Sequence, residues 1–120
     1  MSGGGVPRAV IARQALEVVA GRWVLDVAER LAGNSSMRYG ELLDAISEIP
    51  EGSLSRTLRQ MERDGLVRRM VRPTMPVQVE YELTALGTSV IGLLKVLADW
   101  TVERGSEVEA AREVYQGPQD

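Results

Sequence analysis

Residues 51–72 restrict this chain more than any other segment. At about 100° per residue, Leu54, Leu58 and Met61 share one stripe of a helix over 51–64, and Arg56, Arg59 and Arg63 fall near the opposite pole. Asp64-Gly65 ends that helix, because glycine takes the left-handed cap without a Cβ clash. Residues 66–72 read as a strand and Pro73-Thr74-Met75-Pro76 as a turn. Residues 77–83 read as a second strand, with Val77, Val79, Tyr81 and Leu83 alternating with Gln78, Glu80 and Glu82. The expected result is a two-stranded hairpin directly after a helix that is apolar on one side and cationic on the other.

The preceding residues supply a body for that helix. Residues 8–20 and 22–32 read as two helices separated by Gly21, the second carrying Trp23, Val24, Val27, Ala28 and Leu31 at helical spacing. Gly33-Asn34-Ser35-Ser36 is a turn. A short helix over 39–46 buries Leu42, Leu43 and Ile46, and Ile49-Pro50-Glu51-Gly52 is a second turn with Pro50 suited to a first helical position. Short helix, turn, amphipathic helix and hairpin, in that order, make a winged helix-turn-helix within an α+β domain over 8–104. A Gly-rich, disordered tail precedes it over 1–7, and a partly helical extension over 105–120 follows.

Thr84 caps a last long helix over 85–104. Leu86, Val90, Leu93, Leu94, Leu97 and Trp100 lie on one side of it, and Ile91, Val96 and Val102 lie outside that stripe. The arc is wider than a core-facing stripe needs, so the first and last helices are expected to pair two copies into a homodimer.

Charge is segregated. Residues 53–72 hold six arginines against Glu62 and Asp64, a net of +4. The whole chain carries −3, which leaves −7 elsewhere. An acidic body with one basic segment fits a local anion-binding face that also orients docking. Of the fourteen basic residues only Lys95 is lysine, a bias that suits planar recognition of phosphate and guanine and equally fits a GC-rich genome. With no Cys and no His, the chain offers no thiolate nucleophile, no imidazole base and no zinc–thiolate site. The carboxylates sit on solvated faces, so no enzyme and no cofactor are expected. No apolar run reaches the ~20 residues of a membrane span. Met1-Ser2-Gly3-Gly4-Gly5 lacks the pattern of a secretory leader, so the expectation is a cytoplasmic protein without a membrane partner.

A helix that enters the major groove docks by one face and reads with the other. By that geometry Ser53, Arg56 and Gln60 face base edges, Ser55 and Arg59 flank them, and Arg63 reaches phosphate. Arg38 and Tyr39, at the start of the bracing helix, are candidate phosphate donors, with Tyr39 alternatively core. Alternation separates Arg69 from Arg68 and Arg72, and Arg72, nearest the hairpin tip, is the wing candidate. Glu51 complements the helix dipole and is structural. Two functions fit: sequence-specific binding of double-stranded DNA, or a protein-interaction module of the same shape that does not bind DNA.

Ala20-Gly21-Arg22-Trp23, Arg38-Tyr39-Gly40-Glu41-Leu42, Leu54-Ser55-Arg56-Thr57-Leu58-Arg59, Asp64-Gly65-Leu66-Val67 and Val79 through Gly87 carry a further signal. Over about residues 10–104 the chain resembles the HxlR-type branch of the MarR-like winged-helix transcription regulators, with Trp100 where that family often has a tryptophan. The resemblance implies a dimeric regulator of a near-palindromic operator, paired through its first and last helices. Several members of the family sense oxidants through a cysteine before the first helix. That position aligns with Val10 here, so a thiol switch is excluded. Pro50 and Gly52 replace polar residues common in the family and put the operator sequence in question. Regulation is then by a small ligand, by a partner, or absent; an aromatic or apolar effector could sit at the dimer interface lined by Leu16, Val19, Trp23, Leu94, Leu97 and Trp100, or those residues are packing alone.

Overall fold

A computed structural model describes residues 5–19 and 21–118, with the side chains of Ala15 and Val19 outside the described set. The elements are α1 (Arg8–Val19), α2 (Val24–Ala32), β1 (Met37–Arg38), α3 (Tyr39–Ala45), α4 (Glu51–Arg63), β2 (Val67–Arg72), β3 (Gln78–Leu83) and α5 (Ala85–Val114). The α+β class, the helix-turn-helix pair α3–α4 and the hairpin β2–β3 follow the sequence pattern.

The core gathers the apolar stripes of several short elements. Val24, Val27, Ala28 and Leu31 of α2, Leu42 and Ile46 of α3 and its end, and Leu54, Leu58 and Met61 of α4 are all buried. Each fully buried aliphatic side chain of this size is worth roughly 1.5–3 kcal/mol. Tyr81 and Leu83 of β3 and Ile91 and Leu94 of α5 pack against this cluster from outside.

Four boundaries differ from expectation. The sheet has three strands in the order β1-β3-β2, all antiparallel, because Met37 pairs with Tyr81 and Arg38 with Glu80. A two-residue strand is too short to show alternation, so the sequence pattern shows only the hairpin. Helix α2 starts at Val24: its N–H bonds the Gly21 carbonyl at 3.2 Å, which leaves Trp23 at the N-cap position. Pro50 is the N-cap of α4 rather than its first helical residue. Helix α5 continues ten residues past the expected end, to Val114.

At a rise of about 1.5 Å per residue, α5 is about 45 Å long, and it gives the chain extents of 65 × 47 × 29 Å. By length and composition it could cross a membrane, with a mean hydropathy of 1.4 over an 18-residue window. Lys95 and Asp99 break the run but barely lower the average. Only 17% of that window is buried, with Val90 of α5 part of the buried core.

The α4–β2–α5 joint is the tightest part of the fold. Gly65 adopts φ +80°, and the Leu66 and Gly65 N–H groups donate to the Met61 and Glu62 carbonyls at 2.8 and 3.1 Å. These are the two bonds of a Schellman cap. The Leu66 carbonyl accepts from the Thr84 N–H at 3.0 Å; the Thr84 hydroxyl donates to the Gly65 carbonyl at 2.7 Å, shared with the Leu66 carbonyl at 3.0 Å, and accepts in turn from the Gly87 N–H at 3.0 Å. Gly87 lies so close that an added Cβ would collide with the Leu66 carbonyl oxygen and the Leu83 side chain. Since one neighbour is backbone, Gly87→Ala is expected to destabilise the fold by about 2–4 kcal/mol. Thermal or urea unfolding against the parent measures this, and a loss below about 0.5 kcal/mol would show that the joint yields.

Candidate nucleic-acid interface

Helix α4 is seated by Leu54, Leu58 and Met61, which fixes what its outer face presents. Gly52, Arg56, Arg59 and Arg63 follow one another at intervals of four, three and four residues and are all exposed. They form one row along the solvent side. Pro50 has no side-chain cap bond, so the first turn keeps backbone donors and the positive end of the helix dipole at the start of that row.

The arginines divide by what neutralises them. Among the described residues Arg56, Arg59 and Arg69 take part in no ion pair. Arg63 lies 3.7 Å from Asp64, Arg68 3.1 Å from Glu82, Arg72 3.0 Å from Glu80 and Arg38 3.4 Å from Glu41. Arg68 and Glu82 are directly opposite in the ladder, and Arg72 reaches Glu80 diagonally, the two geometries in which cross-strand side chains meet. Arg69 opposes Tyr81 on the other face, as alternation requires. The expected wing candidate Arg72 is therefore present at the hairpin tip but charge-compensated in cis, as is Arg38. The backbone N–H of Arg38 also donates to Glu41 Oε1 at 2.8 Å, half of a capping box at the start of α3.

Two expected contacts bond within the chain. The Tyr39 hydroxyl donates to the Glu51 carbonyl at 2.8 Å and lies 3.1 Å from Ser55 Oγ. It ties α3 to the first turn of α4, and the expectation of a free phosphate donor is corrected for Tyr39 and weakened for Ser55. The Gln60 amide donates to the Glu17 carbonyl of α1 at 3.4 Å, and Gln60 lines the same groove as Ser53 and Arg56. Ser53 remains at the outer side, its Oγ accepting from Arg56 at 3.4 Å.

The six expected effector residues do not gather within one chain. Trp23 packs on the core with Arg22 over its ring and lines a groove of about 520 Å³ beside α4, whereas Trp100 lines a separate groove of about 510 Å³ with Arg104, Glu107, Val108 and Ala111. Leu94 packs on the core, Leu97 and Leu16 are exposed, and the side chain of Val19 lies outside the described residues. The separation follows from α5, which carries Trp100 past the domain while Trp23 stays at the start of α2. Arg22 was missed by sequence reasoning, because its nearness to α4 depends on how α2 packs.

Comparison with known proteins follows this geometry. The HxlR-like helix-turn-helix family profile matches residues 18–109. An uncharacterized HTH-type transcriptional regulator of Methanothermobacter thermautotrophicus is 37% identical over 99 residues, covering 82% of this chain and 75% of that protein. Among solved structures, one described as a MarR-family transcriptional regulator from Enterococcus faecalis V583 superposes with a TM-score of 0.73 at 31% identity, covering 92% of this chain and 99% of that one. The reduced form of the transcriptional regulator YodB from Bacillus subtilis gives 0.66 at 27% identity, covering 74% and 86%.

Glu80 is the hub of the sheet face. Its carboxylate accepts from Ser36 Oγ and from Arg72 Nε, and these bonds, Ser36 first, hold its pKa below the ordinary 4.5. A depressed carboxylate stabilises the fold above its ordinary pKa, and that contribution is lost as pH falls through the lowered value. An NMR titration of the Glu80 carboxyl should therefore show a midpoint below 4.5. Ser36→Ala and Arg72→Gln should each raise it. A normal midpoint in the parent would mean that neither bond persists in solution.

Proposed function

Because the chain belongs to the HxlR-like helix-turn-helix family of transcriptional regulators, we propose that it works in the cytoplasm as a homodimer. In this reading α4 enters the major groove of a near-palindromic operator. The observation that carries the proposal is the pair Arg56 and Arg59, exposed on the outer row of a rigidly seated helix with no cis partner among the described residues. Ser53 and Arg56 take the base edges and Arg59 and Arg63 the flanking positions, while the first-turn amides of α4 meet phosphate.

Pairing rests on α5. Leu86, Leu93 and Trp100 recur every seven residues with Leu97 between them, and all four are exposed in the single chain. That spacing makes a helix seam, and contiguous exposed apolar surface of this kind marks an interaction face. A second copy covers it and sets the distance between the two α4 helices, about 34–36 Å for half-sites one turn apart. An apolar effector at this seam would be enclosed by two copies of Leu97 and Trp100 rather than by Trp23. The reduced form named for YodB belongs to that protein; this chain has no Cys, so its control runs through a ligand or a partner and not through a thiol.

One observation favours a second reading, the interaction module that does not bind DNA. The wing arginines Arg68 and Arg72 are neutralised by Glu82 and Glu80, which lowers the attraction of the hairpin for a polyanion.

Selection of duplexes from a random pool separates the two. Recovery of a two-fold sequence, with log K falling linearly against log salt, is the expected outcome. Arg56→Ala should weaken binding by roughly ten- to a hundredfold. Retardation of no duplex by the parent would leave the interaction module standing. In sedimentation, Leu93→Glu together with Leu97→Glu should convert the dimer to monomer, and an unchanged sedimentation coefficient would remove α5 from the interface.

A further inference from the structure

The groove of about 520 Å³ beside α4 is lined by Arg22, Trp23, Glu48, Ser53 and Arg56 among others. Two of its wall residues are cations from different elements, and neither Arg22 nor Arg56 has an ion pair among the described residues. Glu48 shares the wall but lies beyond ion-pairing distance of both. Like charges facing one groove repel each other, and an anion between them removes that cost.

Arg22 is held for such a role. Its guanidinium carbon lies 5.0 Å from the centroid of the Trp23 ring, and Trp23 is half-buried against the core. Stacking on a fixed indole restrains the guanidinium plane and leaves its edge N–H groups free to donate. Arg22 is exposed, so the charge reaches solvent at the mouth of the groove.

The position of the groove decides which anion fits. Arg56 belongs both to the outer row of α4 and to this side wall. When the outer row faces the floor of a major groove, the sides of the helix face the phosphate strands that border it. We propose that Arg22, across this groove from Arg56, seats a DNA backbone phosphate, so that the interface extends beyond the helix-turn-helix pair to the start of α2. This rests on the DNA-binding reading above and adds a contact from outside α3 and α4. A free carboxylate or phosphate has the same chemistry, but it would be held by exposed charges alone. A duplex already docked through α4 delivers its phosphate at high effective concentration.

The test uses the full chain and a duplex recovered by selection, with affinity measured from roughly 50 to 200 mM salt. Losing one phosphate contact should make the log K against log salt slope shallower by about 0.9 in Arg22→Gln. Binding should weaken roughly tenfold, and equally for selected and scrambled duplexes. Arg22→Lys, which keeps the charge, should recover most of the slope; a lysine variant that behaves like the glutamine variant would overturn the proposal. So would a slope unchanged in Arg22→Gln, or a loss confined to the selected sequence, which would signal a base contact. Inorganic phosphate titrated without DNA, read by tryptophan emission with Trp23→Phe as control, should give no saturable change below millimolar concentration. Saturation there, abolished in Arg22→Gln, would make a free anion the occupant and sink the DNA phosphate. A parent that binds no duplex sinks the DNA reading itself, whereas a parent that binds normally beside an unaltered Arg22→Gln sinks this contact alone.

Discussion

The Leu66 carbonyl oxygen is the point on which the arrangement of elements depends. It accepts from both the backbone and the hydroxyl of Thr84 and sits against the Cα of Gly87. Its own residue closes the Schellman cap of α4 through Met61. One backbone group thus joins the end of α4, the start of β2, the end of β3 and the start of α5. Three of the four elements are short and could not hold an orientation by burial alone. The hydrogen bonds set direction, and the buried stripe of Leu54, Leu58 and Met61 joins α4 to the common core.

That rigidity gives the charge pattern its meaning. An arginine on a loosely held helix would present an average position, whereas Arg56 and Arg59 are carried on a helix fixed at both ends. Tyr39 holds its first turn and Gly65 its last. The wing is built differently. Glu80 and Glu82 neutralise Arg72 and Arg68 and gather Ser36 into the same network. Exposed pairs of this kind contribute little stability, but they remove most of the attraction that bare guanidinium groups would have for a polyanion. Of the arginines on α4 and the wing, Arg56 and Arg59 on α4 and Arg69 on β2 are left without a cis partner among the described residues.

Features set by neighbours in sequence were readable in advance. The stripe on α4, the Asp64-Gly65 stop and the Thr84 cap each depend on a few adjacent residues, and the structure keeps all three. Features set by packing between distant segments were not. Strand β1 has two residues and no periodicity to show. Gln60 looks outward on a helical wheel, and its bond to Glu17 depends on where α1 lies, while Arg22 shares a groove with Arg56 only because α2 docks where it does. The expected end of α5 falls ten residues early, with a partly helical extension after it, because the apolar period fades beyond residue 104. Glu107, Glu109, Ala110, Ala111 and Arg112 are nonetheless strong helix formers, so the helix continues on intrinsic propensity.

The length of α5 has a mechanical consequence. Its first turn is locked to the end of α4 through Thr84 and Gly87, and its middle and far turns carry the exposed apolar residues from Leu93 to Trp100. One end of this continuous helix is therefore packed and the other exposed, and no described loop between them can absorb a displacement. In a dimer closed through this helix, a change of crossing angle at the seam carries each α4 with it as a rigid body, with leverage set by a rod about 45 Å long. A ligand needs only to prefer one crossing angle to favour or oppose the operator spacing. The sites that read DNA and the sites that sense a signal can then be far apart and share no residue.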